Sequence, residues 1–114
     1  MNLTLSQSSR AAVAAITGDI THAVSDEFQS TLLGWLKESP ALILDCSGVN
    51  MLTSAGLRAL LLLHRESSAS RKRLALASVP PGVRDVMDVT GFLDQFELHP
   101  TVADALAAIS PLTT

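Results

Sequence analysis

Hydrophobic and polar residues follow two different spacings along this chain. Five short segments, at residues 3–5, 12–16, 42–44, 74–77 and 96–98, are alternating or continuously apolar, which is typical of strands. Between most of them lie segments whose apolar residues recur every three or four positions, as on one face of a helix. This pattern predicts an α/β fold with a mostly parallel sheet of four or five strands and about four helices. The N-terminal pair of strands should add an antiparallel edge.

Polar, proline and glycine residues mark where the predicted elements begin and end. Thr21 is the expected N-cap of the first helix, and Pro40 lies beyond its end. After the strand at 42–44, Ser47-Gly48 predicts a tight turn. The second helix should run from about 54 to 69, because good helix formers occur throughout. On the first helix, the residues expected to face the core are Val24, Phe28, Leu32 and Trp35.

Composition and charge exclude several classes of protein. The chain has 114 residues, enough for one domain, and its single cysteine cannot form an internal disulfide. Residues 1–10 lack the basic start and apolar core of a signal peptide, so a reducing, cytoplasmic setting is expected. The net charge of −3 provides no general attraction to nucleic acid or to an anionic membrane. The longest apolar run is far too short to span a bilayer.

Catalytic chemistry finds little support in the residue pattern. Cys46 follows an apolar strand, where a free cysteine usually behaves as a small hydrophobic residue. Ser47-Gly48 lacks the glycine two positions before the serine that a nucleophile elbow requires. With no zinc, P-loop or dinucleotide-binding motif, we expect no cofactor and no enzymatic activity. The enzyme alternative is a small hydrolase using Ser47 or Cys46. The basic run Arg71-Lys72-Arg73 is expected to be a solvated cap at a helix C-terminus, with a nucleic-acid contact as the less favoured alternative.

The start of the second helix carries the residues best suited to a modification. Thr53 and Ser54 place hydroxyl groups where unpaired N–H groups and the helix dipole stabilise a phosphate. The alternative is that one of them is simply the N-cap. On a helical wheel, Arg58, Leu62 and Arg65 fall on the same side as Ser54, away from the leucines that should be buried. Leu62 is then either an ordinary exposed leucine or the anchor of a protein-binding face.

The segment at 42–58, LILDCSGVNMLTSAGLR, resembles the signature of STAS-domain anti-sigma factor antagonists. In that family an apolar strand ending in Asp-x-Ser precedes a Ser-rich tetrapeptide that closes in Gly-Leu. Gly18-Asp19-Ile20-Thr21 is similar to the family's Gly-x-Ile-Asp segment before the first helix, and VMDVTGF at 86–92 is similar to its third helix. The resemblance covers nearly the whole chain and implies a single STAS domain over residues 1–114.

The resemblance also implies partner switching in place of catalysis. An unphosphorylated member binds an anti-sigma factor, a serine kinase of the histidine-kinase-like ATPase fold, and thereby frees a sigma factor. The kinase phosphorylates the antagonist on a serine at the start of the second helix, and a metal-dependent serine phosphatase reverses the step. A monomer without cofactor is expected when the protein is free. The alternative within the same fold is a scaffold subunit of a transporter or lipid-trafficking complex that is not phosphorylated.

Two departures from the family pattern decide which residue takes the acceptor role. Thr53 stands where many members have Asp, and Ala55 stands directly before the glycine, where some members carry the phosphorylated serine. The resemblance therefore assigns phosphorylation to Ser54, two positions before Gly56, with Thr53 as second candidate. The residues expected to bind the partner are Thr53, Ser54, Ala55, Gly56, Arg58 and Leu62.

Overall fold

A computed structural model of the chain describes residues 1–8 and 11–109. Within these residues the strands are β1 (Asn2–Gln7), β2 (Ala12–Ile20), β3 (Ala41–Leu52), β4 (Arg73–Ala77) and β5 (Glu97–His99). The α-helices are α1 (Ser25–Lys37), α2 (Ser54–Ala69), α3 (Pro81–Val89) and α4 (Val102–Ile109), and 3-10 turns occupy His22–Val24 and Leu93–Gln95. The predicted alternation of strands and helices is confirmed.

The five strands form one mixed sheet in the order β1-β2-β3-β4-β5. β1 pairs with β2 in the antiparallel sense, whereas β2, β3, β4 and β5 are parallel neighbours. Each parallel connection needs a crossover, which α1, α2 and α3 provide in turn. The sheet confirms the predicted α/β class, including the antiparallel N-terminal edge.

Each face of the sheet is covered by its own apolar cluster. Helices α1, α2 and α3 bury residues such as Phe28, Leu60 and Met87 in the larger core, together with Leu42 and Leu44 of β3. On the opposite face, Ile43 of β3 belongs to a smaller cluster that α4 covers. β3 is therefore buried on both sides, as a continuously apolar strand requires.

The predicted turn at Ser47-Gly48 is wrong. β3 continues through both residues to Leu52, and its register against β2 shifts between Ala15 and Thr17. A Cβ on Gly48 would lie 2.6 Å from Thr17 Cγ2 and 3.0 Å from the carbonyl oxygen of Ile16. The glycine is thus needed for a close approach of two strands at an irregularity in the ladder, not for a chain reversal.

The first helix begins later than predicted. Thr21 makes no side-chain capping bond, and a 3-10 turn over His22–Val24 separates it from α1, which begins at Ser25. The fully buried residues of α1 are spaced by four positions, so the stripe continues to Leu36, whereas Trp35 is only half-buried. These residues are Phe28, Leu32 and Leu36.

The basic run caps helix ends, but not the end of the helix that precedes it. Lys72 Nζ donates to the carbonyl oxygens of Leu36, at 2.8 Å, and of Lys37, at the end of α1. Arg73 Nη1 donates to the carbonyl oxygen of Ala108 at 3.0 Å, in the last turn of α4. Because cations stabilise helix C-termini, both side chains tie distant helices to the start of β4.

Candidate functional site

The Thr53 hydroxyl holds the start of α2 against the end of β2. Thr53 is the N-cap: its Oγ1 accepts from the N–H of Gly56 at 3.3 Å and donates to the carbonyl oxygen of Ile20 at 2.9 Å. The backbone N–H of Thr53 donates to the same carbonyl at 3.1 Å. The one proton of this hydroxyl is therefore already committed within the fold.

Gly56 lets the first turn of α2 lie directly against the strands. A Cβ at this position would be 2.6 Å from Ile20 Cγ2, 2.8 Å from Leu52 Cδ1 and 2.9 Å from the carbonyl oxygen of Ile20. The last of these is a backbone atom, which cannot rotate away as a side chain can. Gly56 is also buried, and the lack of a side chain is what allows this close packing.

Ser54 is the first residue of α2 and is exposed. Its hydroxyl forms no hydrogen bond with another residue in the ranges 1–8 and 11–109. The first turn of α2 contains no acidic side chain, and a helix N-terminus carries a partial positive charge. The hydroxyl is therefore reachable from solvent, at a place where an added negative charge is stabilised.

The other predicted contact residues lie along α2. Arg58 is exposed, whereas Ala55 and Leu62 are half-buried. Leu62 belongs to neither of the two core clusters found in the described part of the chain. Met51, near the end of β3, is 45% exposed and adds apolar surface two residues before the N-cap. No periodicity marks an exposed methionine in a strand, so the sequence pattern gave no reason to single it out.

Ile20 is the second position that sequence reasoning missed. Its carbonyl oxygen accepts both bonds from Thr53, and its side chain packs where a Cβ on Gly56 would be. Ile20 and Thr53 are 33 positions apart in sequence, so no local pattern predicts their contact. The start of α2 is thus positioned by the end of a neighbouring strand as much as by its own cap.

Cys46 and Ser47, the residues of the hydrolase alternative, lack the surroundings of nucleophiles. Cys46 is buried, and burial raises the pKa of its thiol to about 12, with the charge of Asp45 contributing in the same direction. Ser47 is exposed, and its N–H donates to Asp45 Oδ1 at 3.1 Å. Within 1–8 and 11–109, no hydrogen bond joins Ser47 to a histidine that would act as its base.

An ionic cluster lies away from the start of α2, on β4 and β5. Arg73 forms two bonds with the carboxylate of Glu97, at 2.8 and 2.7 Å, and His99 Nε2 lies 2.7 Å from Glu97 Oε2. The hydrogen bond from Arg73 is the main reason that the pKa of Glu97 is lowered. Because Arg73 also binds the last turn of α4, the cluster fixes that helix on the sheet.

Residues 1–8 and 11–109 contain neither a metal-binding cluster nor a membrane-spanning helix. No three His, Cys, Asp or Glu side chains in residues 1–8 and 11–109 are grouped so that they would hold a metal ion. None of the helices in this part of the chain has the length and apolar character to cross a membrane.

Sequence comparison relates the chain to known proteins over almost its full length. Residues 2–105 match the sequence model of the STAS domain. BtrV of Bordetella bronchiseptica, a proposed anti-sigma factor antagonist, is 28% identical over 109 residues, which are 95% of this chain and 94% of BtrV.

Solved structures agree in fold. An anti-sigma factor antagonist from Mycobacterium paratuberculosis matches with a TM-score of 0.86 and 24% identity, over 96% of this chain and 94% of that one. The anti-sigma factor antagonist SpoIIAA in its unphosphorylated form matches with a TM-score of 0.80 and 18% identity, over 99% and 100% of the two chains. The mixed sheet, the three helices on one face and the family match lead to one conclusion: the chain belongs to the STAS domain family.

Proposed function

We propose that the protein is an anti-sigma factor antagonist that acts by partner switching. The unphosphorylated form binds an anti-sigma factor, a serine kinase of the histidine-kinase-like ATPase fold. Phosphorylation of Ser54 by that kinase releases the complex, and a metal-dependent serine phosphatase restores the binding form. The protein acts by binding rather than by catalysis, in the cytoplasm, and is a monomer when free.

The observation that carries this proposal is the contrast between two adjacent hydroxyl groups. The Thr53 hydroxyl bonds to Ile20 and Gly56, whereas the Ser54 hydroxyl is exposed and unbonded among the described residues. A kinase needs an acceptor that it can reach and deprotonate. Ser54 meets that requirement without loss of the helix cap, which makes Thr53 the weaker of the two candidates.

The effect of a phosphate follows from its position at a contact face. A phosphate adds nearly two negative charges, changing the net charge from −3 to about −5. At the start of a helix the group is tolerated by the fold itself. In a packed interface the same group must be desolvated and meets any like charge of the partner, so binding is lost while the domain stays folded.

Recovery of a partner by variants of Ser54 tests the switch. Wild type and Ser54→Ala should both capture a kinase-like partner from native lysate, and Ser54→Asp should capture at least several-fold less. Ser68→Asp is a matched control, because Ser68 is an exposed serine near the other end of the same helix. Equal recovery by all four proteins would contradict the switch and leave the unphosphorylated scaffold as the better description.

Identification of the acceptor is a separate experiment. The captured kinase is incubated with the protein and ATP, and the modified residue is located by mass spectrometry. We expect the phosphate on Ser54 and none in Ser54→Ala. A phosphate found on Thr53, or on neither residue, would contradict the assignment.

A further inference from the structure

Arg58 lies one helical turn beyond Ser54 on α2. Both residues are exposed, and residues four positions apart on a helix have Cβ atoms about 5–6 Å from each other. In the described ranges, 1–8 and 11–109, Glu97 forms an ion pair with Arg73 and its carboxylate also contacts His99, and Arg58 takes part in neither contact. Its guanidinium group is therefore available to an anion that is placed on Ser54.

No carboxylate on the early part of α2 competes for Arg58. The first turn has no acidic residue, and the first acidic residue of the helix is Glu66, eight positions after Arg58 and about 12 Å further along the axis. The residue before Ser54 is Thr53, a neutral side chain engaged with Ile20. A phosphate on Ser54 would be the nearest anion to Arg58 on its own helix.

We propose that Arg58 binds the phosphate on Ser54 within the same helix and is thereby withdrawn from the partner. The inference rests on the proposed function, because it gives a mechanism to the same switch. A guanidinium group presents paired N–H donors that match phosphate oxygens. It should therefore bind the phosphate more strongly than a positive charge without such donors would. Phosphorylation then acts in two ways: it adds negative charge to the face, and it engages an arginine that the unmodified protein leaves exposed for the partner.

The second pKa of the phosphate reports this contact directly. The full chain is produced with phosphoserine encoded at position 54, and the phosphate is titrated by ³¹P NMR. Because Arg58 stabilises the dianion, the pKa should be about 0.4 lower in wild type than in Arg58→Ala. Arg58→Lys should keep part of this lowering, since an ammonium group provides the charge without the paired donors.

Arg65→Ala is the matched control. Arg65 is also an exposed arginine of α2, but it is eleven positions from Ser54, about 16 Å along the axis. The phosphate of the Arg65→Ala variant should have the same pKa as the phosphate of wild type. An equal pKa in wild type and Arg58→Ala would overturn the inference, and so would an equal change in Arg65→Ala, which would indicate only the general field of the helix.

The design separates this inference from the proposed function. Because the phosphate is encoded, the titration needs neither kinase nor partner. Failure of the kinase to modify Ser54 would contradict the proposed function, whereas an unchanged phosphate pKa would contradict the role of Arg58 alone. Both positions are exposed, so far-UV circular dichroism should give the same helix content for all variants.

Discussion

Thr53 and Ser54 show how two similar side chains receive different tasks from their surroundings. Either one fits the N-cap by residue type, and the sequence pattern left the choice open. The choice depends on the carbonyl oxygen of Ile20, which accepts from the Thr53 hydroxyl. That carbonyl comes from β2, so the assignment needs the tertiary structure. Because Thr53 is the cap, the hydroxyl of Ser54 has no hydrogen-bond partner among residues 1–8 and 11–109.

The buried thiol of Cys46 should lower the stability of the protein at alkaline pH. Its pKa is raised from 9.0 to about 12 in the folded protein, mainly by burial. Above pH 9 the unfolded chain therefore loses a proton that the folded chain keeps, which favours unfolding. The contribution of this thiol is complete below pH 9 and should fall by up to about 1.4 kcal/mol per pH unit between 9 and 12.

Urea unfolding of wild type and Cys46→Ala at pH 7.5, 9 and 10.5 measures this effect. Cys46→Ala should be less stable at pH 7.5, because it leaves a small cavity, but it should lose less stability as the pH rises. The chain has no tyrosine, so few other groups titrate in this range, and those are common to both proteins. Parallel pH profiles would show that the thiol is not as buried as the structure has it.

At the level of elements, α2 was predicted with the bounds that the structure has, 54 to 69. Two adjacent hydroxyl residues mark its approximate start and strong helix formers its interior, and both signals can be read from the sequence, although the choice of Thr53 as the cap depends on Ile20. β3 was predicted too short, because Ser47-Gly48 is typical of a turn. Here the glycine instead allows Thr17 of β2 to approach, and such a contact between strands leaves no local signal.

Two glycines in helices should respond to alanine in opposite ways. Gly34 is exposed within α1, and a Cβ there would meet nothing within 4 Å. Gly34→Ala should therefore raise the free energy of unfolding by about 0.5–1 kcal/mol through helix propensity. Gly56→Ala should lower it by about 1–3 kcal/mol, because the new methyl group would overlap with Ile20.

Denaturant titrations of both variants against wild type give the two differences. The pair controls for the substitution itself, since the chemical change is the same at both positions. A neutral Gly56→Ala would mean that α2 can move away from β2 without cost, and the close packing described for the site would be wrong.

Across the whole molecule, the sequence predicted the sheet and its helices better than the contacts that lock them together. The pattern of strands and helices agreed with the family resemblance. Together they predicted the α/β class and the antiparallel strand at the N-terminal edge of the sheet. The contacts of Lys72 and Arg73 could not be predicted in this way. These side chains bind carbonyl oxygens near residues 36 and 108, more than 30 positions away in sequence. Charge in a sequence indicates a favourable helix end but not which helix.

The proposed contact face on α2 should be separate from the core of the domain. Leu62 is half-buried and lies outside both core clusters of the described residues, whereas Leu63 is 1% exposed. Leu62→Glu should thus change the free energy of unfolding by less than about 1 kcal/mol. If Leu62 anchors the partner, the same change should weaken binding at least tenfold, because a charge would be buried in the interface.

Leu63→Glu is the contrasting variant, because a carboxylate placed in the core should unfold the domain. Thermal melts report stability, and titration of the captured partner reports binding. A large loss of stability in Leu62→Glu would place Leu62 in the core, and unchanged binding would remove it from the face. We expect reduced binding at nearly constant stability, because one side of α2 packs on the core and another side would bind the partner.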